Sequence, residues 1–174
     1  MTKRILLASI MVLMVIAVAY PQNNNRKQFK DELVGFEEVP ALSTNGSGEF
    51  TLKINNAETE LSYELSYSGL EGEVTQAHIH IGQSGVIGGI MLFLCSNLGN
   101  GPPGTQPCPP SPATVTGTLT AADVIGTGQG IAAGEFAEVI RAIRAGATYV
   151  NVHSNLFPGG EIRSQIRPKN KNKD

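Results

Sequence analysis

The chain alternates apolar and polar residues, with a period of two, in stretch after stretch. In "GEFTLKI", Phe50, Leu52 and Ile54 share one side; in "ELSYELSYSGL", Leu61, Tyr63, Leu65 and Tyr67 do, opposite Ser62, Glu64 and Ser66. A helix would scatter these side chains around its circumference, whereas an extended strand lines them along one face, so both segments read as half-buried strands. The intervening "NNAE" is a turn, which makes the two an antiparallel hairpin. "EVTQAHIHI" sets Ala77, Ile79 and Ile81 against Gln76, His78 and His80, and "ATYVNVHS" sets Val150 and Val152 against Tyr149, Asn151 and His153. "GGIMLFLC" is a short apolar run that suits a strand covered on both faces, "TVTGTLT" is rich in β-formers, and "GGEIRSQI" closes the chain as a last strand after a "PGG" turn.

The period changes in one place. In "GEFAEVIRAIRAG", Phe136, Val139, Ile140 and Ile143 fall at i, i+3, i+4 and i+7, the spacing of one helix face, and Gly146 follows as a C-terminal stop. "TAADVIG" predicts a short helical turn, with Thr120 as cap and Asp123 reaching back to it. About seven to eight strands with one or two short helices imply a mostly β, antiparallel sandwich or barrel, the helices at one end or along an edge.

The ends are of a different kind. Lys3 and Arg4 precede an unbroken apolar run, Ile5 to Ala19, closed by Ala17-Val18-Ala19. This is the layout of a cleavable signal peptide over residues 1–19, with no lipid-attachment cysteine after it, so the mature chain is expected to be secreted or periplasmic and free of the membrane. Residues 20–31 are polar and unpatterned and read as a flexible linker, with ordered structure expected near Leu33; residues 32–167 form one domain, and the basic 168–174 read as a disordered tail. The formal charge is −2, and cleavage removes Lys3 and Arg4; with no basic stripe, a nucleic-acid partner is not expected.

The chain has two cysteines, Cys95 and Cys108, flanking a Gly- and Pro-rich loop. In an exported chain an even count reads as one disulfide, stabilising by ~3 kcal/mol through loop closure. A thiolate metal site is the weaker reading without a C-x-x-C spacing.

The three histidines are the unusual feature, because two of them stand two residues apart. On a strand, residues at that spacing point the same way with Cα atoms ~6.5–7 Å apart, so two imidazoles can lean onto one ion. If the "YVNVHS" strand lies beside the "AHIHI" strand, His78, His80 and His153 project from one face. Three neutral imidazoles with an open fourth position suit copper or zinc. Asn151, Glu161 and Arg163 are the candidate supporting groups around them. The alternative is a polar cluster that holds the sheet together with no ion, the histidines satisfying one another and a Glu161–Arg163 pair. A metal site requires ring nitrogens within ~3–4 Å of one another.

Taken together, "FEEVPAL", "AHIHIGQSGVIGGIMLFLC", "TGTLTAADV" and "AGATYVNVHSNLFPGGEIRSQI" resemble the CHRD domain, a family first named from chordin. The resemblance spans about residues 32 to 167, with Ser164 where the family usually has Gly and "HIG" for the commoner "HGP". It implies a β-rich extracellular module, with no enzyme activity firmly tied to it; the growth-factor binding of chordin-like proteins is credited largely to cysteine-rich modules absent from this sequence. The A-H-I-H strand also resembles, over one strand only, the copper-ligand strand of copper/zinc superoxide dismutases, but their His- and Asp-rich zinc loop has no counterpart. The expectation is therefore a non-enzymatic exported domain binding an extracellular or envelope ligand, or a copper or zinc ion, through its histidine face. A metal-free structural or adhesion module is the second reading, and a copper oxidoreductase the third.

Overall fold

The structure, a computed structural model, describes residues 27–167; the signal segment 1–19 and the tail 168–174 lie outside the described residues. Eight strands follow one another: β1 (Gln28–Val34), β2 (Ser47–Ile54), β3 (Leu61–Ser68), β4 (Val74–Ile81), β5 (Ile90–Ser96), β6 (Ala113–Leu119), β7 (Thr148–Ser154) and β8 (Ile162–Ile166). One helix, α1 (Phe136–Arg144), and two single 3-10 turns, Gly35–Glu37 and Ala121–Asp123, complete the elements. The strands form one antiparallel sheet in the order β5-β4-β7-β8-β1-β2-β3-β6, curled into a nearly closed barrel. The mostly β class read from the alternation is what the chain adopts.

The alternation sets the register. Phe50, Leu52, Ile54, Leu61, Tyr63, Leu65 and Tyr67 all turn into the core, together with Ala77, Ile79, Val150, Val152, Ile162 and Ile166 from the other half of the sheet. The four predicted helix residues, Phe136, Val139, Ile140 and Ile143, are buried in the same core. The helix ends at Gly146 (φ 67°) in a Schellman arrangement: Ala147 N–H donates to Ala142 O and Gly146 N–H to Ile143 O. Arg144 in its last turn forms a two-pronged ion pair with Glu58 of the β2–β3 turn, tying α1 to that end of the barrel. The Thr120–Asp123 capping box is present on the second 3-10 turn.

One sequence expectation needs correction. The sheet already includes Gln28, ahead of the expected start near Leu33, because Phe29, Asp31 and Leu33 alternate into the interior while β1 pairs along its whole length with β2. The stretch "QFKD" thus belongs to the domain, not to a linker; its one apolar residue, Phe29, is too sparse a signal by itself. The loop between the cysteines is held at both sides. The disulfide Cys95–Cys108 forms, with Cα atoms 5.0 Å apart, and the loop fills the gap between the edge strands β5 and β6. Gln106 Nε2 donates to Leu94 O (3.3 Å) on β5, to Thr116 O (2.9 Å) on β6 and to the Tyr63 hydroxyl (2.8 Å), while Ser96 N–H donates to Gln106 O (2.9 Å). One side-chain amide thus spans the seam where a strand ladder is missing.

Candidate functional site

Because β4 pairs with β7 and β7 with β8, the residues opposite the core on these three strands share a face. In register, His80 lies beside Tyr149 and Gln165, and His78 beside Asn151 and Arg163; Gln76 pairs with His153. Each strand was legible as alternating, but this outward face is as buried as the inward one: β7 and β8 have no exposed residue. It is covered by loops, not by a second apolar layer. The 82–89 segment lies over it with its carbonyls turned inward. Gln165 Nε2 donates to Gly82 O (2.9 Å), Arg163 to Val86 O (3.0 Å) and Gln83 O (3.4 Å), and His80 Nδ1 to Gly88 O (2.9 Å).

The three histidines meet. Each offers a ring nitrogen, and the three nitrogens lie within 4.8 Å of one another. His78 Nδ1 is 3.2 Å from His153 Nε2, close to the ~3.3 Å that separates two ligands around a tetrahedral ion with bonds of ~2.0–2.1 Å. The widest separation exceeds the ~3–4 Å required of a closed site, so a ring must move inward when an ion is held. His80 Nδ1 and His153 Nδ1 each face a main-chain carbonyl, Gly88 O (2.9 Å) and Pro158 O (3.0 Å). Carbonyl partners of this kind hold the proton on Nδ1 and leave Nε2 as a bare donor. His78 Nε2 and His80 Nε2 are buried and have no hydrogen-bond partner.

Burial also keeps the rings uncharged. It pushes His80 down to about 4 and His78 to about 2, the latter helped by its histidine neighbours, and it lowers His153 against the pull of Pro158 O. Neutral imidazole is the form that ligates. The rings are wedged by aromatic contacts: Phe93 meets His78 edge-on at 4.4 Å, and Tyr149 stacks on His80 at 4.6 Å with an interplanar angle of 6°. Arg163 overlies Tyr149, its guanidinium carbon 3.5 Å from the ring centre.

The supporting residues read from the sequence divide. Asn151 Oδ1 lies 3.0 Å from His153 Nε2. Arg163 reaches the site through Tyr149 and the 82–89 carbonyls. Glu161 serves no histidine: its carboxylate accepts from Thr44 Oγ1 (3.0 Å), Glu71 N–H (2.6 Å) and Gly72 N–H (3.4 Å), so it anchors two loops and makes no pair with Arg163. It precedes the first β8 residue, so the strand parity that would align it with Arg163 does not extend to it. Sequence reasoning missed Glu38. Its carboxyl is buried beside Asn151, and burial raises it to about 7 against the pull of Arg163, the Val39 N–H and Asn151. "FEEVP" carried it only as part of a motif, and nothing in the spacing brings residue 38 to residue 151. Sequence also missed the main-chain carbonyls of Gly88 and Pro158, which no residue type reports.

Among the described residues, no helix is long and apolar enough to cross a membrane. Comparison with curated proteins and with solved structures returned no match. The family model of the CHRD domain matches residues 29–166, from the second residue of β1 to the last of β8. The chain belongs to the CHRD domain family.

Proposed function

We propose that this CHRD-domain protein is exported and binds a copper or zinc ion through His78, His80 and His153, without catalysing a reaction. The observation that carries the reading is the set of unused nitrogens: His78 Nε2 and His80 Nε2 are buried without partners, and the three rings each offer a nitrogen within 4.8 Å of the other two. A buried polar atom without a partner costs about 1–3 kcal/mol, and an ion that accepts its lone pair removes that cost. Three imidazoles leave one position open, for water or for a group on an extracellular or envelope ligand. The disulfide fits an oxidising compartment, which supports export.

The test is thermal unfolding of chelator-treated protein with and without Zn2+ or Cu2+. At an ion concentration a hundred times the dissociation constant the gain is about 2.7 kcal/mol, or roughly 5–10 °C for a domain of this size. His80→Ala is expected to remove the shift while the ion-free protein still unfolds cooperatively. An unchanged melting curve for the wild type would leave the structural reading, in which the histidines satisfy each other inside the sheet.

A further inference from the structure

The proton inventory around His153 does not close as the atoms lie. Its Nδ1 faces Pro158 O at 3.0 Å, and its Nε2 faces Asn151 Oδ1 at 3.0 Å and His78 Nδ1 at 3.2 Å. A neutral imidazole carries one N–H, so one of these oxygens meets a lone pair. Protonating the ring would satisfy both, but burial opposes the charge. The remaining solution is to turn the Asn151 carboxamide over, so that Nδ2–H donates to Nε2 while Nδ1–H stays on Pro158 O; the two ends of an amide are the same shape, and hydrogen bonding decides between them.

Turning the amide moves the question to Glu38. Asn151 Oδ1 then faces the Glu38 carboxyl and needs a donor, which Glu38 supplies only when it holds its proton. The fold keeps space for this contact. Gly160 sits at φ 130°, and a Cβ there would lie 2.3 Å from Glu38 Oε1 and 2.8 Å from Asn151 Nδ2. Glu38 Oε1 is buried without a hydrogen-bond partner, and the Asn151 amide beside the carboxyl favours its ionised form. The titratable and charged side chains facing Glu38 are Arg163 from β8 and Tyr149 from β7; Glu37 on its own segment is turned to Gln165 N–H (3.1 Å) instead.

We propose that Glu38 is a positioning residue for His153: protonated, it holds the Asn151 amide N–H on Nε2, and loss of its proton turns the amide away and frees Nε2 for the ion. This rests on the three-histidine reading above. In the ion-free protein the chain runs from Glu38 O–H to Asn151 Oδ1, from Asn151 Nδ2–H to His153 Nε2, and from His153 Nδ1–H to Pro158 O. With an ion on Nε2, Nδ2–H donates to the Glu38 carboxylate, and the Glu38 proton has gone to solvent. Metal binding therefore carries a proton release that no histidine supplies.

The experiment is calorimetric titration of the chelator-treated full-length protein with Zn2+, in pairs of buffers with different ionisation heats, at pH 6 and pH 8. Wild type is expected to release about one proton more at pH 6 than at pH 8, and its zinc affinity to rise about tenfold per pH unit below 7. Glu38→Gln offers an amide donor and acceptor of the same shape but no proton, so it is expected to bind zinc with no difference between the two pH values. Equal proton release by wild type at both pH values overturns the proposal, with no variant needed. So does a Glu38→Gln protein that keeps the wild-type difference. Failure of wild type to take zinc even at pH 8, where Glu38 is ionised on either account, instead overturns the three-histidine reading on which the proposal stands.

Discussion

At the scale of single residues, the histidine face is governed by proton affinity. The unfolded chain protonates its histidines near pH 6.5, whereas native His80 resists until about pH 4 and His78 until about pH 2. As pH falls from 6.5 towards 4, the unfolded state takes protons that the native state does not, so the ion-free protein loses stability, by about 3 kcal/mol from His80 alone. Glu38 has the opposite sign. Raised to about 7, it keeps a proton between pH 7 and 4.5 that the unfolded chain has released, so stability is gained as pH falls through that window. The expected outcome for ion-free wild type, followed by urea unfolding at successive pH values, is a decline that sets in near pH 6.5 and steepens below 4.5, where Glu38 no longer offsets one of the histidines. In Glu38→Gln the decline between pH 6.5 and 4.5 is steeper than in wild type, because the offsetting group is gone.

At the scale of elements, period-two alternation made the strands legible, and the change of period at residue 136 made the helix legible, because both report how side chains divide between two surroundings. What alternation does not report is whether the second surrounding is water. The polar side of β4, β7 and β8 is buried beneath the 82–89 segment through carbonyls that every residue type carries, so its sequence shows no trace of that role. The histidines were legible as ligand candidates by their spacing; Glu38 was not, because its partner lies across the fold. The start of β1 was missed for a related reason: Phe29 and Leu33 are its only apolar anchors before Val34, and their value comes from pairing with β2. A chain beginning at Leu33 would lose Phe29 from the core and most of that ladder. The cost is expected to be about 3–5 kcal/mol, the range for emptying a buried Phe site, measured as a lower urea midpoint than for a chain beginning at residue 27.

At the scale of the whole molecule, the sheet has two edges, β5 and β6, and meets itself across Gln106 and the Cys95–Cys108 loop. Reduction of the disulfide releases a short loop, worth about 3 kcal/mol by loop closure and roughly 6–12 °C in unfolding temperature for a domain of this size. Gln106→Ala strands the Leu94 and Thr116 carbonyls at the seam, and the expected result is faster amide exchange in β5 and β6 than in β7 and β8. The histidines stand on β4 and β7, not on the seam strands β5 and β6, so zinc-induced stabilisation is expected to survive reduction. The atoms that steady His80 and His153 belong to the main chain. Apart from Gly85, whose φ is 76°, and Asn155, whose side chain accepts from Glu73 N–H (2.9 Å), residues 83–87 and 155–157 are therefore free to diverge in identity but not in length, since an inserted or deleted residue shifts a carbonyl out of reach. In related chains the mark of an intact pocket would be a constant spacing between histidine and glycine or proline.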